Sequence, residues 1–161
     1  MKAFLLRHAD AENTLPDEAR ILSPKGRQQV RELASFVKKK LLADVTEIRH
    51  SPYARACETA ELFKEQRKLE APLVEASGLL PSDDPLETAH ELAAFDQDIL
   101  LVGHNFHIEE LASCLLTGKT TEPAVRFKKC GLLCVERAHD PTTNHPFGLW
   151  VLRWYIVPKL L

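Results

Sequence analysis

Short apolar runs alternate along the chain with longer segments whose apolar residues recur every three or four positions. That pattern predicts strands alternating with helices. Residues 2–6 form the first apolar run and predict a short buried strand. Across residues 24–40, Val30, Leu33, Ala34 and Val37 fall on one helical face, with Ser23 as N-cap and Pro24 at the first helical position. Residues 44–48 predict a second strand, and residues 54–66 a helix with Cys57, Ala60 and Phe63 on one side. Residues 72–76 predict a short strand, and the Gly-, Pro- and Asp-rich residues 78–85 a loop. A helix follows over residues 86–95, then the strongly apolar strand 98–102, ended by Gly103, and a helix over 106–116. Residues 132–136 and 149–157 predict two closing strands, joined by the polar residues 138–146 as a hairpin connection. Trp150 and Trp154, spaced by four, are expected to pack on the sheet or in the core.

Strands alternating with helices predict an α/β fold with a mostly parallel sheet, and the last two strands can add an antiparallel edge. Continuous apolar strands such as Ile99-Leu100-Leu101-Val102 suit a sheet covered on both faces. The 161 residues fit one domain spanning positions 1–161. Lys plus Arg number 21 against 23 Asp plus Glu, a net charge of −2. That balance argues against a nucleic-acid partner, whose footprint is a basic excess. Apolar runs are too short for a membrane span or a signal-peptide core, so a cytoplasmic protein is expected, and separately a monomer. Cys57, Cys114, Cys130 and Cys134 have neither disulfide-framework nor zinc-site spacing and are expected to be reduced thiols.

In parallel α/β sheets the reactive groups gather at the carboxyl ends of the strands. The first strand ends in Arg7-His8, the second near His50-Ser51 with Arg55 in the helix that follows, and the long apolar strand in Gly103-His104. Neighbouring strands would bring two arginines and two histidines to one pocket. Guanidinium forks match phosphate oxygens. Helix N-termini add unpaired N–H groups and positive potential. An imidazole of ordinary pKa near 6.5 is roughly three-quarters neutral at pH 7, and neighbouring Arg charges favour that nucleophilic form further. The combination points to phosphoryl transfer, which asks mainly for positioning and charge stabilisation.

Four segments, in order, resemble the histidine phosphatase superfamily, which has a phosphoglycerate mutase-like fold. Phe4-Leu5-Leu6-Arg7-His8-Ala9-Asp10-Ala11-Glu12 resembles its Arg-His-Gly signature, with Ala9 in place of the glycine. Leu22-Ser23-Pro24-Lys25-Gly26 resembles the opening of its first helix. Ser51-Pro52-Tyr53-Ala54-Arg55-Ala56-Cys57-Glu58-Thr59 resembles its Ser-x-x-x-Arg-x-x-x-Thr segment, and Val102-Gly103-His104-Asn105 its second histidine. The short chain and the Leu80-Pro81-Ser82-Asp83-Asp84-Pro85 loop are most similar to the SixA-like phosphohistidine phosphatases. The resemblance implies a three-layer sandwich. It implies that His8 attacks phosphorus, that Arg7 and Arg55 hold the phosphoryl oxygens, and that His104 donates to them as imidazolium. Ser51 is assigned to substrate binding beside them. No metal or cofactor is implied.

A general acid is the missing part. Asp10, Glu12, Asp83 and Asp84 are its candidates, or else solvated loop carboxylates. Phosphohistidine has a good leaving group and needs an acid less than a phosphate ester does. The leading expectation is therefore a phosphohistidine phosphatase in signal transduction, with a histidine-phosphorylated phosphotransfer or phosphocarrier domain as substrate. A small-metabolite acid phosphatase or phosphoramidase is one alternative, and a non-catalytic phosphohistidine-binding module another. His104 with His107 is weighed as a metal pair and set aside, because no further ligands cluster with it. Lys38-Lys39-Lys40 is expected to end the first helix, and Lys128-Lys129 to rim an anionic pocket or to lie free on the surface.

Overall fold

A computed structural model describes residues 1–158. These residues form six strands and four α-helices. In chain order they are β1 (Lys2–Arg7), α1 (Pro24–Phe36), β2 (Val45–His50), α2 (Ala54–Arg67), β3 (Leu73–Glu75), α3 (Pro85–Ala94), β4 (Asp98–Gly103), α4 (His107–Thr117), β5 (Leu132–His139) and β6 (Leu149–Ile156). The strands make one sheet in the order β3-β2-β4-β1-β5-β6. β3, β2, β4 and β1 run parallel; β5 joins β1 and β6 joins β5 antiparallel.

Alternation along the central strands sends side chains into two cores. Phe4, Leu6, Leu100 and Val102 pack with Val30, Leu33, Ala56, Ala60 and Phe63 of α1 and α2. Ala3, Leu5, Ile99 and Leu101 pack on the other face with Ala89 and Leu92 of α3 and with Ile108, Leu111 and Leu115 of α4. Both faces are covered, which explains the unbroken apolar runs of β1 and β4. The expected three-layer α/β arrangement with an antiparallel edge is what the chain forms. No helix of the described residues is long and apolar enough to cross a membrane. Cys114, Cys130 and Cys134 are buried, Cys57 is partly exposed, and all four are unpaired.

Two local expectations are corrected. The first helix stops at Phe36, because Val37 turns to an extended conformation and is fully buried. Lys39 and Lys40 begin a separate 3-10 turn that buries Leu42, so the lysine run does not cap a helix. Trp150 and Trp154 do pack in the core as expected, but on opposite faces of the sheet, although even spacing on a regular strand puts both on one face. A bulge between the Cys134–Trp154 and Val135–Leu152 pairs inserts Arg153 and flips the alternation.

The segment after β1 is tied down on three sides. The Ala9 N–H donates to Thr59 Oγ1 (3.1 Å), the Asp10 N–H to Gln29 Oε1 (2.9 Å), and the Asp10 carbonyl accepts from the Ser23 N–H (3.0 Å). Ser23 caps α1 by accepting from the Gly26 N–H and also donates to Asp10 Oδ2 (2.7 Å). Gly26 is needed because a Cβ there would lie 1.9 Å from the Asp10 carbonyl oxygen. Gly26→Ala should therefore destabilise the protein by about 2 kcal/mol or more, since backbone must move to relieve the overlap. Urea unfolding measures this; an unchanged midpoint would contradict the packing described.

Candidate active site

The β1/β4 pair lies where the winding reverses, since the chain runs outward through β2 and β3 before β4 returns beside β1. Such switch points leave a crevice at the strand ends. Arg7 is level with Gly103, and His50 with Val102. The ladder continues one step further: the His8 N–H donates to the Gly103 carbonyl (2.9 Å) and the Ser51 N–H to the Val102 carbonyl (3.0 Å). His8, Ser51 and His104 thus leave three neighbouring strands at one level. Their rings and side chains meet: the His8 and His104 ring centroids are 5.0 Å apart, and His104 Nε2 lies 2.8 Å from Ser51 Oγ.

Arg55 enters from the first turn of α2 and is almost entirely buried. Its guanidinium carbon sits 4.9 Å above the Tyr53 ring, and that ring meets His104 edge-on at 5.2 Å. Thr59, one helical turn beyond Arg55, donates to the Arg55 carbonyl (2.6 Å) while accepting from the Ala9 N–H. This explains the Arg-x-x-x-Thr spacing, since one hydroxyl joins the arginine helix to the histidine loop. Arg7 Nη1 donates to the Phe127 carbonyl at 2.8 Å.

His8 has a defined orientation. Its Nδ1 lies 2.7 Å from the Ala9 carbonyl, an acceptor, so the proton is assigned to Nδ1 and the lone pair to Nε2. Burial pushes its pKa down to about 3, and the charges of Arg55, Arg7 and Lys129 push the same way against the Ala9 hydrogen bond. Burial, with His8 and Arg55 beside it, lowers His104 to about 3 as well. The imidazolium expected at His104 is that of a ring against a phosphoryl group; in this arrangement burial favours the neutral ring. A phosphoryl dianion against the ring would pull the balance back toward imidazolium.

Three of the four candidate acids, Asp10, Asp83 and Asp84, are engaged by other partners. Asp10 is held below the usual carboxylate range by Lys129, then by Ser23. Asp83 accepts from the Leu80 N–H (2.8 Å) and Asp84 caps α3 through the Leu86 N–H (2.9 Å), so both are turn carboxylates. Glu12 is fixed by its backbone, its N–H bonding the Ile21 carbonyl and its carbonyl accepting from Arg20 Nε. The second Arg-His pair is also separate: Arg49 pairs with Glu47 and Glu91, and His50 Nδ1 meets the Ser51 carbonyl. Lys129 pairs with Asp10 at the rim, which favours the pocket-rim reading over a free surface lysine. His107 is buried against Thr88 Oγ1 (3.4 Å) rather than beside His104 in a ligand cluster. Among the described residues no group of three or more His, Cys, Asp or Glu is placed to hold a metal ion.

Asp17 is a site residue that sequence reasoning missed. It lies on a 3-10 turn in the loop before α1, where its carbonyl accepts from Arg55 Nη1 (2.7 Å) and its carboxylate from Nη2 (3.0 Å). Arg20, then Arg55, hold this carboxyl below the usual range. Nothing in the local sequence pairs position 17 with position 55.

The two neutral imidazoles set a pH dependence. Their folded pKa values lie below the ordinary 6.5, so the unfolded chain binds more protons between the two. The stability they contribute is full above about pH 6.5 and is lost as pH falls toward 3. Urea stability should therefore drop between about pH 6.5 and 4.5, above the range where carboxylates protonate. A His8→Asn/His104→Asn double variant should show a shallower drop. NMR titration of either ring with a midpoint near 6.5 would contradict this electrostatic account.

Residues 3–79 match the model of the histidine phosphatase superfamily (branch 1). No curated protein sequence matches the chain. Among solved structures, the protein histidine phosphatase SixA complexed with tungstate aligns with a TM-score of 0.84 and 22% identity, covering 99% of each chain. A protein assigned as phosphohistidine phosphatase SixA from Agrobacterium tumefaciens aligns at 0.72 and 22% identity, over 98% of this chain and 97% of that one. Phosphoserine phosphatase from Entamoeba histolytica, in complex with 3-phosphoglyceric acid, aligns at 0.64 and 17% identity, over 96% and 95%. Residues 3–79 thus carry the sequence pattern of the histidine phosphatase superfamily, and the chain shares its fold with these enzymes over nearly its whole length.

Proposed function

We propose that this protein is a phosphohistidine phosphatase that works through a phosphorylated His8. The observation that carries the reading is the fixed His8 ring, neutral and with Nε2 free, beside Arg7, Arg55 and His104. Arg7 Nε and His104 Nδ1 are buried without a hydrogen-bond partner among the described residues. Buried polar groups normally have partners, so these two fit a ligand with several acceptor oxygens. A tetrahedral oxyanion is such a ligand, and tungstate is bound by the SixA relative of known structure.

In this mechanism Nε2 of His8 attacks phosphorus in line with the leaving nitrogen, and the P–N bond to the substrate histidine breaks as the P–Nε2 bond forms. Nδ1 keeps its proton on the Ala9 carbonyl and stabilises the charge on the ring. Arg7, Arg55 and His104 hold the phosphoryl oxygens, with Ser51 orienting His104. Water then attacks phosphorus, giving inorganic phosphate and free His8.

Substrate preference follows from the carboxylates. Cations hold Asp10 and Asp17 ionised, so neither is poised to donate a proton. An alkoxide leaving group needs that proton, whereas imidazole leaves more readily. The substrate is accordingly a histidine-phosphorylated protein, such as a phosphotransfer or phosphocarrier domain in signal transduction.

Wild type and His8→Ala, each given a phosphohistidine protein and phosphoserine, an alkyl phosphate ester, in EDTA, test the reading. Phosphohistidine turnover should exceed ester turnover by about 100-fold, the scale of a general-acid contribution, and His8→Ala should abolish both. Full activity in His8→Ala would overturn the mechanism. Equal or faster ester hydrolysis by wild type would favour a general small-molecule phosphatase. Phosphohistidine binding without turnover would favour a binding module.

A further inference from the structure

Glu109 lies in the first turn of α4, outside the four-residue constellation, and is only 4% exposed. Its Oε1 accepts from the Phe127 N–H at 2.7 Å and from Asn105 Nδ2 at 2.6 Å. Oε2 lies 3.5 Å from Arg126 Nη1, on a side chain that is mostly exposed. The N–H so gripped and the carbonyl that accepts from Arg7 Nη1 belong to the same residue, Phe127, on the two peptides that flank its Cα. The opposite side of this loop is pinned as well: Tyr155 Oη accepts from the Lys128 N–H (2.8 Å) and donates to the Arg126 carbonyl (3.2 Å). The Phe127 ring is buried in the second core, 5.2 Å from the Tyr155 ring.

Arg7 extends from the end of β1 into a site built at strand ends, and its own strand does not fix the plane of its guanidinium. Planar bidentate recognition requires that plane to be fixed. With Nη1 committed to Phe127, the edge left for an oxyanion is that of Nε and Nη2, and Nε is the buried atom without a partner. A Phe127 free to tilt would let the fork rotate away. Burial pulls the Arg7 pKa down, and the charge of Glu109 is the largest influence opposing it. The same carboxylate therefore holds the loop and offsets the charge of the arginine.

We infer that Glu109 is a positioning residue that sets the phosphate-binding plane of Arg7 by clamping Phe127 at its N–H, one peptide before the carbonyl that holds Arg7. It acts through that residue and does not touch the phosphoryl group. The inference rests on the active-site reading above and extends it to a residue outside the signature segments.

Direct calorimetric binding of tungstate tests it, in both the Arg7 and the Arg7→Ala backgrounds. Glu109→Gln keeps an oxygen in reach of the Phe127 N–H. Glu109→Asp keeps the charge but withdraws the carboxylate by one methylene. With Arg7 present, Glu109→Asp should weaken tungstate binding about tenfold, the loss of one well-made hydrogen bond, and Glu109→Gln should stay within about threefold. With Arg7→Ala, neither should change affinity more than about twofold, because the residue they position is gone. Equal losses in both backgrounds, or a loss in Glu109→Gln matching that in Glu109→Asp, would overturn the inference alone. A wild-type protein that binds no tungstate would overturn it together with the active-site reading.

Discussion

The parallel pairing of β1 with β4 is the constraint on which the site depends. With Arg7 opposite Gly103, the next residue on each strand is a histidine, and the His8 N–H closes the ladder on the Gly103 carbonyl. A one-residue slip would reverse the faces of Phe4, Leu5 and Leu6, which are buried without exposure between two cores. The register that packs the hydrophobic interior is therefore the register that brings the two imidazoles together. The reactive geometry is held by the stability of the sheet and not by a separate local device.

Around that pair, charge is balanced by partners from distant segments. Arg55 faces Asp17, Lys129 faces Asp10, and Arg7 is offset by Glu109 across Phe127. Burial and these cations keep His8 neutral, the form that can attack phosphorus. The counter-carboxylates keep the cluster of cations from repelling itself, and those of Asp10 and Asp17 are held in the ionised form. A site of this composition suits a leaving group that departs without much help. This links the electrostatics to the proposed P–N substrate.

Much of this was legible in the sequence because it is local or periodic. Arg7, His8, Ser51, Arg55 and His104 sit at or just beyond strand ends, and apolar patterning finds strand ends well. The motifs Leu22–Gly26 and Arg55–Thr59 could be located, and the structure supplies their physical reasons: a close approach of Gly26 to Asp10, and a shared Thr59 hydroxyl. What stayed hidden depends on long-range contacts. Asp17 meets Arg55 across 38 positions, and Arg7 meets the Phe127 carbonyl across 120, with a backbone atom that carries no sequence signal. The end of α1 and the bulge at Arg153 escaped for a related reason: the burial of Val37 and the pairing of β6 with β5 overrode the local period.

The central claim is that phosphate passes through Nε2 of His8. The most direct measurement is to mix the protein with a phosphohistidine substrate, quench in alkali within one turnover, and map the phosphate by peptide mass spectrometry and 31P NMR. The account predicts acid-labile, alkali-stable phosphate on the His8 peptide, attached at Nε2. Steady turnover with no phosphate on His8, or phosphate held on another residue, would contradict it.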